Sequence, residues 1–588
     1  MERARDAATG PGRAARIRGR ARRVAATALV SLLLLTHARA VFTTSINWDE
    51  FALLARARQT HDTGVFESGG RPGLAVPILL PFVARCQDEI ASARGARLLW
   101  LAFTAALLLG LARAVAQLQP DRAEAGRDAV LAVALLALVP AFLEWSLQVR
   151  TDQLALCGGV WGGVALLASR RRPALALAAG ALFGLGYLGS QKLFYVAALF
   201  GALAAGDALR RRDLRPRREA RRLLACAAGY GIAVAAFQQL LLRLFDVPES
   251  SPARELLPSP GRAPAVASHF DFMRQTIGWS QYRAMLPSLG PHALLLAGLA
   301  AASARSLRQR RREPALALAW VVLALGAALL FFHAAAFSYF WMTLGLFPAV
   351  ALALARSRTE ALLLARWPRA RRAAAAALGA ALLAPAATTS WRLLADTQAV
   401  QRESLAFVHR HFPPGEAGFH PESGLFCRAR QPFETYFSQT LYRRFESPAR
   451  AERIEKLERQ FREERVRFLV DSFRLAQFPP ELQRFFALHY QPYRHAVSVA
   501  GSRLSGSRGE SSAVELVVPG AYRWLPYPDP QQLEVDGRLL RAGDVLELAS
   551  GPHRVRFLED VPAGLLVLAL AELPGPAGRP FYEDPSAP

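Results

Sequence analysis

The sequence predicts a polytopic α-helical membrane protein of about eleven transmembrane helices. Interfacial helices lie in its outer loops, and an extracytoplasmic C-terminal part combines an α/β region with a β-sandwich-like module. Three observations predict this. Apolar runs near the length of a bilayer span recur through the first two-thirds of the 588 residues. The connections between those runs alternate between arginine-rich and nearly arginine-free, as the positive-inside rule requires. The last third turns to period-two alternation, as in "AVELVVPGAYRWL" and "DVLELASGPHRVRFLE", which marks strands.

Composition supports the same reading. The chain is 52% hydrophobic with a formal net charge of +25. A basic excess alone admits nucleic acid as a partner, but a soluble nucleic-acid binder would not place its arginine clusters between runs such as "VLAVALLALVPAFL" and "ALALAWVVLALGAALLFF". The implied partner is the lipid bilayer.

The elements follow in order. Residues 1–23 form a basic leader, "RAARIRGRARR", assigned to the cytoplasm. The transmembrane part covers 24–390, with spans near 24–43, 96–117, 128–145, 151–168, 173–189, 192–208, 222–242, 290–304, 315–335, 338–356 and 370–388. The even-numbered connections, among them "SRRRP", "LRRRDLRPRREARR" and "SARSLRQRRREP", all carry Arg. The short outward ones, "EWSLQVRTD", "GSQ" and "FFHAAAFS", carry almost none. The N-terminus is then cytoplasmic and the C-terminal domain extracytoplasmic. Ala38-Arg39-Ala40 offers a secretory cleavage site as an alternative. The basic residue within it and the continuing apolar pattern favour an uncleaved span.

Two outer loops are sizeable. Residues 44–95 hold "FALLARARQT" and "GLAVPILLPFVARCQ", amphipathic pieces joined by "SGGRPG". Residues 243–289 begin Pro/Ser-rich and end helix-like. Beyond the spans, 391–510 reads as an α/β region and 511–588 as a β-rich module, in which Asp536-Gly537 between alternating runs signals a hairpin. Of four cysteines, Cys157 and Cys226 fall inside apolar runs. Cys86 and Cys427 both fall outside the membrane, where an oxidising compartment would allow a disulfide.

The residues with chemistry gather at the outward face. Asp49-Glu50 follows the first span. The bland account is a helix cap, since Asp is a good N-cap, yet carboxylates at a membrane boundary are costly and often functional. "EWSLQVRTDQLAL" brings Glu144, Arg150 and Asp152 to the same side. Arg can snorkel from such a position, but the short Asp cannot. "GYLGSQKLFYVAAL" carries Lys192, one of only two lysines among the 72 Lys and Arg residues. Lys is not interchangeable with Arg. His333, Tyr339 and Trp341 in "FFHAAAFSYFWM" could line a sugar or lipid site, or belong to an aromatic belt. Acids, cations and aromatics at one membrane face suit a reaction between a lipid-phosphate donor and an outer acceptor. A carboxylate would take the acceptor proton, and cations would hold the leaving phosphate.

"NWDE" after the first span and "GGRPGLAVPILLPF" further on resemble the first outer loop of the GT-C membrane glycosyltransferases. The similarity is to bacterial relatives of the protein O-mannosyltransferases and of the lipid A aminoarabinose transferase. "EWSLQVRTDQLAL" and "LGSQKLFYVAAL" are similar to that family's acidic and lysine-bearing segments, and the resemblance covers roughly residues 24–390. It implies Asp49 as catalytic base with Glu50 beside it, Asp152 as a second acid, and Lys192 and Arg150 on a polyprenyl phosphate. It also implies a polyprenyl-phosphate-linked sugar as donor, transfer of a hexose or pentose with inversion, and a bacterial cytoplasmic membrane. The C-terminal domain departs from the pattern, which leaves the extracytoplasmic acceptor open. Paired acids could hold a divalent cation, but no ligand set is evident. A non-catalytic scaffold whose β-module binds cell-wall glycan is one rival, and a transporter or lipid-handling protein is the other. It would also use intramembrane acids, although no internal repeat is present and the charges sit at one face rather than at midplane.

Overall fold

The computed structural model describes residues 31–66, 73–119, 121–211, 216–248, 279–310, 313–332, 340–365, 367–421, 424–427, 449–527, 531–575 and 580–581. The chain divides into two compact units. A helical unit takes Met1–Thr44, Thr63–Ile78 and Ala96–Ala395, and a sheet unit takes Ser45–Asp62, Leu79–Gly95 and Asp396–Pro588.

In the helical unit the apolar runs become helices close to their expected places. They include Ser31–Thr43, Thr151–Ala168, Leu175–Gly189, Leu193–Arg211, Pro216–Leu244, Trp279–Arg308, Pro314–Phe332 and Pro368–Leu394. Two expected spans are broken. The run at 128–145 separates into Arg122–Ala137 and Pro140–Trp145. Pro140 lacks the N–H that would continue the first helix, but it suits the first position of a new one. The run at 338–356 separates at Gly345 into Trp341–Leu344 and Leu346–Leu363. Among the described residues four helices are long and apolar enough to cross a membrane: Glu89–Leu118, Leu193–Arg211, Pro216–Leu244 and the stretch Arg369–His411. These make the chain an integral membrane protein. Ser31–Thr43, Leu175–Gly189 and Pro314–Leu329 are apolar but shorter.

Glycine sets the closest packing. A side chain at Gly180 would collide with the Cys226 carbonyl, and one at Gly229 with the Leu177 carbonyl. Leu175–Gly189 and Pro216–Leu244 can therefore approach backbone to backbone, as small residues permit in lipid. Several charged groups among these helices are paired. Arg356 Nε donates to Asp128 Oδ1 at 2.5 Å and Arg356 Nη1 to Glu360 Oε1 at 2.8 Å.

Among its described residues the sheet unit holds eleven strands: β1 Gly418–Phe419, β2 Phe468–Val470, β3 Tyr490–Arg494, β4 Val497–Gly506, β5 Ser511–Leu516, β6 Gly520–Tyr527, β7 Leu533–Val535, β8 Arg538–Leu540, β9 Val545–Leu548, β10 Gly551–Phe557 and β11 Val561–Leu568. Seven form one sheet in the order β1-β2-β4-β11-β6-β9, with β3 also on β4. The other four form a second sheet, β5-β10-β7-β8. Tyr522, Trp524 and Leu566 from the first and Val535, Val555 and Phe557 from the second share one core. β4 pairs with β11, so the larger sheet runs across residue 510, where composition changes. Asp536 and Gly537 both have positive φ, 50° and 81°, between the paired residues Val535 and Arg538. That is the primed hairpin turn their dipeptide demands.

Helix Trp48–Thr63 belongs to the sheet unit. Phe51 lies 5.9 Å from the Phe581 ring and 6.2 Å from Phe426. Cys86 and Cys427 form a disulfide across 341 residues. Beside it the buried Glu89 carboxylate accepts from the Cys427 N–H at 3.0 Å and sits 2.8 Å from His409 Nε2.

Candidate functional site

In the helical unit the site is built around a hairpin. Helix Leu175–Gly189 ends at Ser190, whose extended backbone (φ −161°, ψ 143°) stops the helix. Leu193–Arg211 starts directly after the short "SQK" connection. Ser190 Oγ donates to Asp152 Oδ1 at 3.0 Å, and Lys192 Nζ donates to Asp152 Oδ2 at 2.6 Å. Both carboxylate oxygens of Asp152 are therefore engaged by the hairpin. Asp152 lies in the first turn of Thr151–Ala168, where the helix dipole favours an anion. It is 6% exposed, and the Lys192 side chain is 16% exposed. Such a pair persists only with good geometry and further hydrogen bonds, because desolvation of both ions opposes it.

An aromatic ring faces the ammonium. Lys192 Nζ lies 5.3 Å from the centroid of Phe340, within cation–π range. Tyr195 meets the same ring edge-on at 5.7 Å. Arg150 caps the start of Thr151–Ala168 with extended backbone. Its guanidinium lies 5.3 Å from the Trp145 ring, and its carbonyl accepts from Trp100 Nε1 at 2.8 Å. Asp152 and Lys192, both singled out in the sequence, meet directly, and Arg150 precedes Asp152 by two residues. Glu144 is half exposed and lies 3.7 Å from Arg392. Trp341 packs edge-on against His292 at 5.5 Å. His333 and Tyr339 lie outside the described residues.

Asp49 and Glu50 belong to the sheet unit. The geometry separates the two acids. The cap of helix Trp48–Thr63 is Asn47 rather than Asp49. Asn47 Oδ1 accepts from the Asp49 N–H at 2.9 Å, and Glu50 Oε2 accepts from the Asn47 N–H at 2.8 Å. This reciprocal arrangement is a capping box. Glu50 is fully buried in that role, while Asp49 stays partly exposed. Next to Asp49, the Trp48 ring carries the Arg474 guanidinium 4.6 Å from its centroid and Phe473 at 5.9 Å.

Two further titrations mark this unit. Burial pushes the Asp471 carboxyl up to about 6, against the opposing hydrogen bond from Ser498 Oγ at 2.8 Å. Burial also pulls His420 down to about 3, so its ring stays neutral against Phe581 at 4.7 Å.

Sequence reasoning missed Ser190, Phe340, Asn47 and Arg474. Ser190 stands two positions before Lys192, and the N-x-x-E spacing of Asn47 and Glu50 was a legible capping signal. Phe340 lies between Tyr339 and Trp341 in the aromatic run "FFHAAAFSYFWM", whereas Arg474 carries no local signal. Among the described residues no group of three or more His, Cys, Asp or Glu converges as a metal site would require.

No protein-family model matches the chain, and no curated protein does. Among solved structures, the chain is similar to the Archaeoglobus fulgidus oligosaccharyltransferase in its apo form. The TM-score is 0.43 at 11% identity, over 94% of this chain and 98% of that one. It is similar to ArnT from Cupriavidus metallidurans in the apo state, with a TM-score of 0.39 at 12% identity, over 81% of this chain and 98% of that one. It is also similar to the arabinosyltransferase EmbB from Mycobacterium smegmatis, with a TM-score of 0.39 at 14% identity, over 93% of this chain and 63% of that one.

Proposed function

We propose that the chain is a membrane glycosyltransferase of the GT-C kind. It moves a hexose or pentose from a polyprenyl-phosphate donor to an extracytoplasmic acceptor, with inversion, in a bacterial cytoplasmic membrane. The observation that carries the proposal is the Lys192–Asp152–Ser190 cluster: the rare lysine, held at 2.6 Å by an aspartate at the start of an apolar helix.

The chemistry assigns the roles. The acceptor hydroxyl attacks the anomeric carbon, and the bond from that carbon to the phosphate oxygen breaks. The electron pair leaves on the phosphate, whose negative charge grows in the transition state. A fixed cation there is worth most when water is excluded. The Lys192 ammonium carries three N–H donors and gives one to Asp152 Oδ2. Asp152, bound by Lys192 and Ser190, fits a positioning role better than that of a proton acceptor. Arg150 adds a second cation on the same helix start. The proton from the acceptor goes to a carboxylate, assigned to Asp49. Glu50 holds the Asn47 cap and fixes the helix that carries Asp49.

The test is transfer from radiolabelled polyprenyl-phosphate sugars in membranes. Lys192→Ala should raise the donor KM with the protein still inserted, and an unchanged donor KM would remove Lys192 from the phosphate.

A further inference from the structure

The positively charged connections of the helical unit are more than topology signals. One of them builds a cavity. A recess of about 850 Å³ opens where the "SRRRP" connection meets the start of helix Pro216–Leu244. It is lined by Arg217, Arg218, Arg221, Arg222 and Pro173, and no carboxylate lines it among the described residues.

The four arginines differ in state. Arg222 is 4% exposed and tied down: Nε donates to Ser169 Oγ at 3.0 Å, Nη2 to the Leu166 carbonyl at 2.8 Å, and Nη1 to Glu219. It forms a fixed floor, neutralised by its acid. Arg217, Arg218 and Arg221 are exposed and pair with no carboxylate among the described residues. Arg218 also donates to the Arg170 carbonyl, which joins the two connections. Arg170 is already matched by Asp207 at 2.8 Å.

The same helix face then turns apolar. Arg217, Arg221 and Leu224 stand at i, i+4 and i+7, so they share a face. Leu223 and Leu224 are 63% and 69% exposed. Three guanidiniums without a carboxylate partner among the described residues, above exposed leucines, match an amphiphile with an anionic phosphate head and a hydrocarbon tail. A soluble phosphate would use the arginines but not the leucines. An acidic protein segment would have no use for an apolar surface one turn below.

We infer that the recess at Arg217, Arg218 and Arg221 is a binding site for the headgroup of an anionic phospholipid of the bilayer. Guanidinium pairs bidentately with phosphate, and each basic residue at such a surface contributes about fivefold in affinity.

The test uses the full-length chain in detergent, titrated with phosphatidylglycerol or phosphatidylcholine and read by native mass spectrometry. Wild type should prefer phosphatidylglycerol by on the order of a hundredfold for three arginines, and added salt should reduce that preference. Arg217→Gln/Arg218→Gln/Arg221→Gln should abolish it. Arg217→Lys/Arg218→Lys/Arg221→Lys should keep most of it, which separates charge from folding. Equal retention of the two lipids, or a glutamine variant that keeps the preference, would overturn the site. Displacement of phosphatidylglycerol by inorganic phosphate at matching concentration would assign the recess to soluble phosphate and overturn the lipid assignment.

Discussion

Removing the charge of Asp152 is the most informative single perturbation of the helical unit. Asp152→Asn keeps an oxygen that can accept from Ser190 Oγ, now 3.0 Å away, but leaves Lys192 without the carboxylate at 2.6 Å. Breaking a buried pair by removing one partner costs about 3–5 kcal/mol, whereas replacing both partners by apolar groups is often neutral. The Lys192 side chain is 16% exposed, so part of its charge is still hydrated and the lower end applies, about 3 kcal/mol. Asp152→Leu and Lys192→Met should each cost a similar amount. The double variant Asp152→Leu/Lys192→Met should then recover most of the stability, giving a coupling of about 3 kcal/mol or more. Thermal unfolding of the detergent-solubilised chain reads this cycle, and sugar transfer is measured on the same samples. The double variant should be stable and inactive. Additive losses would show that the pair is not an energetic unit. A stable double variant with normal transfer would refute the assignment of Lys192 to the donor phosphate.

Other expectations follow from the sheet unit. Glu50→Gln keeps an acceptor for the Asn47 N–H and should retain activity, while Glu50→Ala should lose about 1 kcal/mol of cap; calorimetry and transfer assays on the pair check this. The Asp471 carboxyl is raised to about 6 in the folded unit. The native state therefore binds more protons than the unfolded state between about pH 4 and 6, and stability from this group falls as pH rises through that window. Asp471→Asn should be more stable than wild type above pH 6, by up to about 3 kcal/mol, and equal to it near pH 3; a constant difference at both pH values would contradict the burial of this carboxyl. The Cys86–Cys427 link closes a loop with a sequence separation of 341 residues, so reduction should destabilise the sheet unit by about 2–5 kcal/mol. Thiol labelling of the denatured, unreduced chain should count only Cys157 and Cys226; four labelled thiols would remove the disulfide.

The helices were legible because apolar length and arginine placement are local signals. Where the reading ran past a boundary, at Pro140, the apolar run continued through the proline and its length outweighed the missing N–H. Lys192 stood out by rarity, but its partner could not be read. The pairing with Asp152 spans 40 residues and depends on three helix ends meeting. Asp49-Glu50 looked like one feature because the two are adjacent. The structure divides them, since side chains one position apart on a helix point in different directions and only Glu50 can reach back to Asn47. In the sheet unit the Asp536-Gly537 hairpin was legible, whereas the pairing of β4 with β11 was not, because register between distant strands follows from core packing.

The central claim is that this chain transfers a sugar from a polyprenyl phosphate. It is tested most directly by offering membranes a panel of radiolabelled polyprenyl-phosphate sugars, with wild type and Asp49→Asn side by side and membrane lipids and proteins as acceptors. The account predicts label transferred from one donor by wild type and none by the variant, with both proteins inserted equally. No transfer from any donor by well-inserted wild type, or equal transfer by Asp49→Asn, would contradict it.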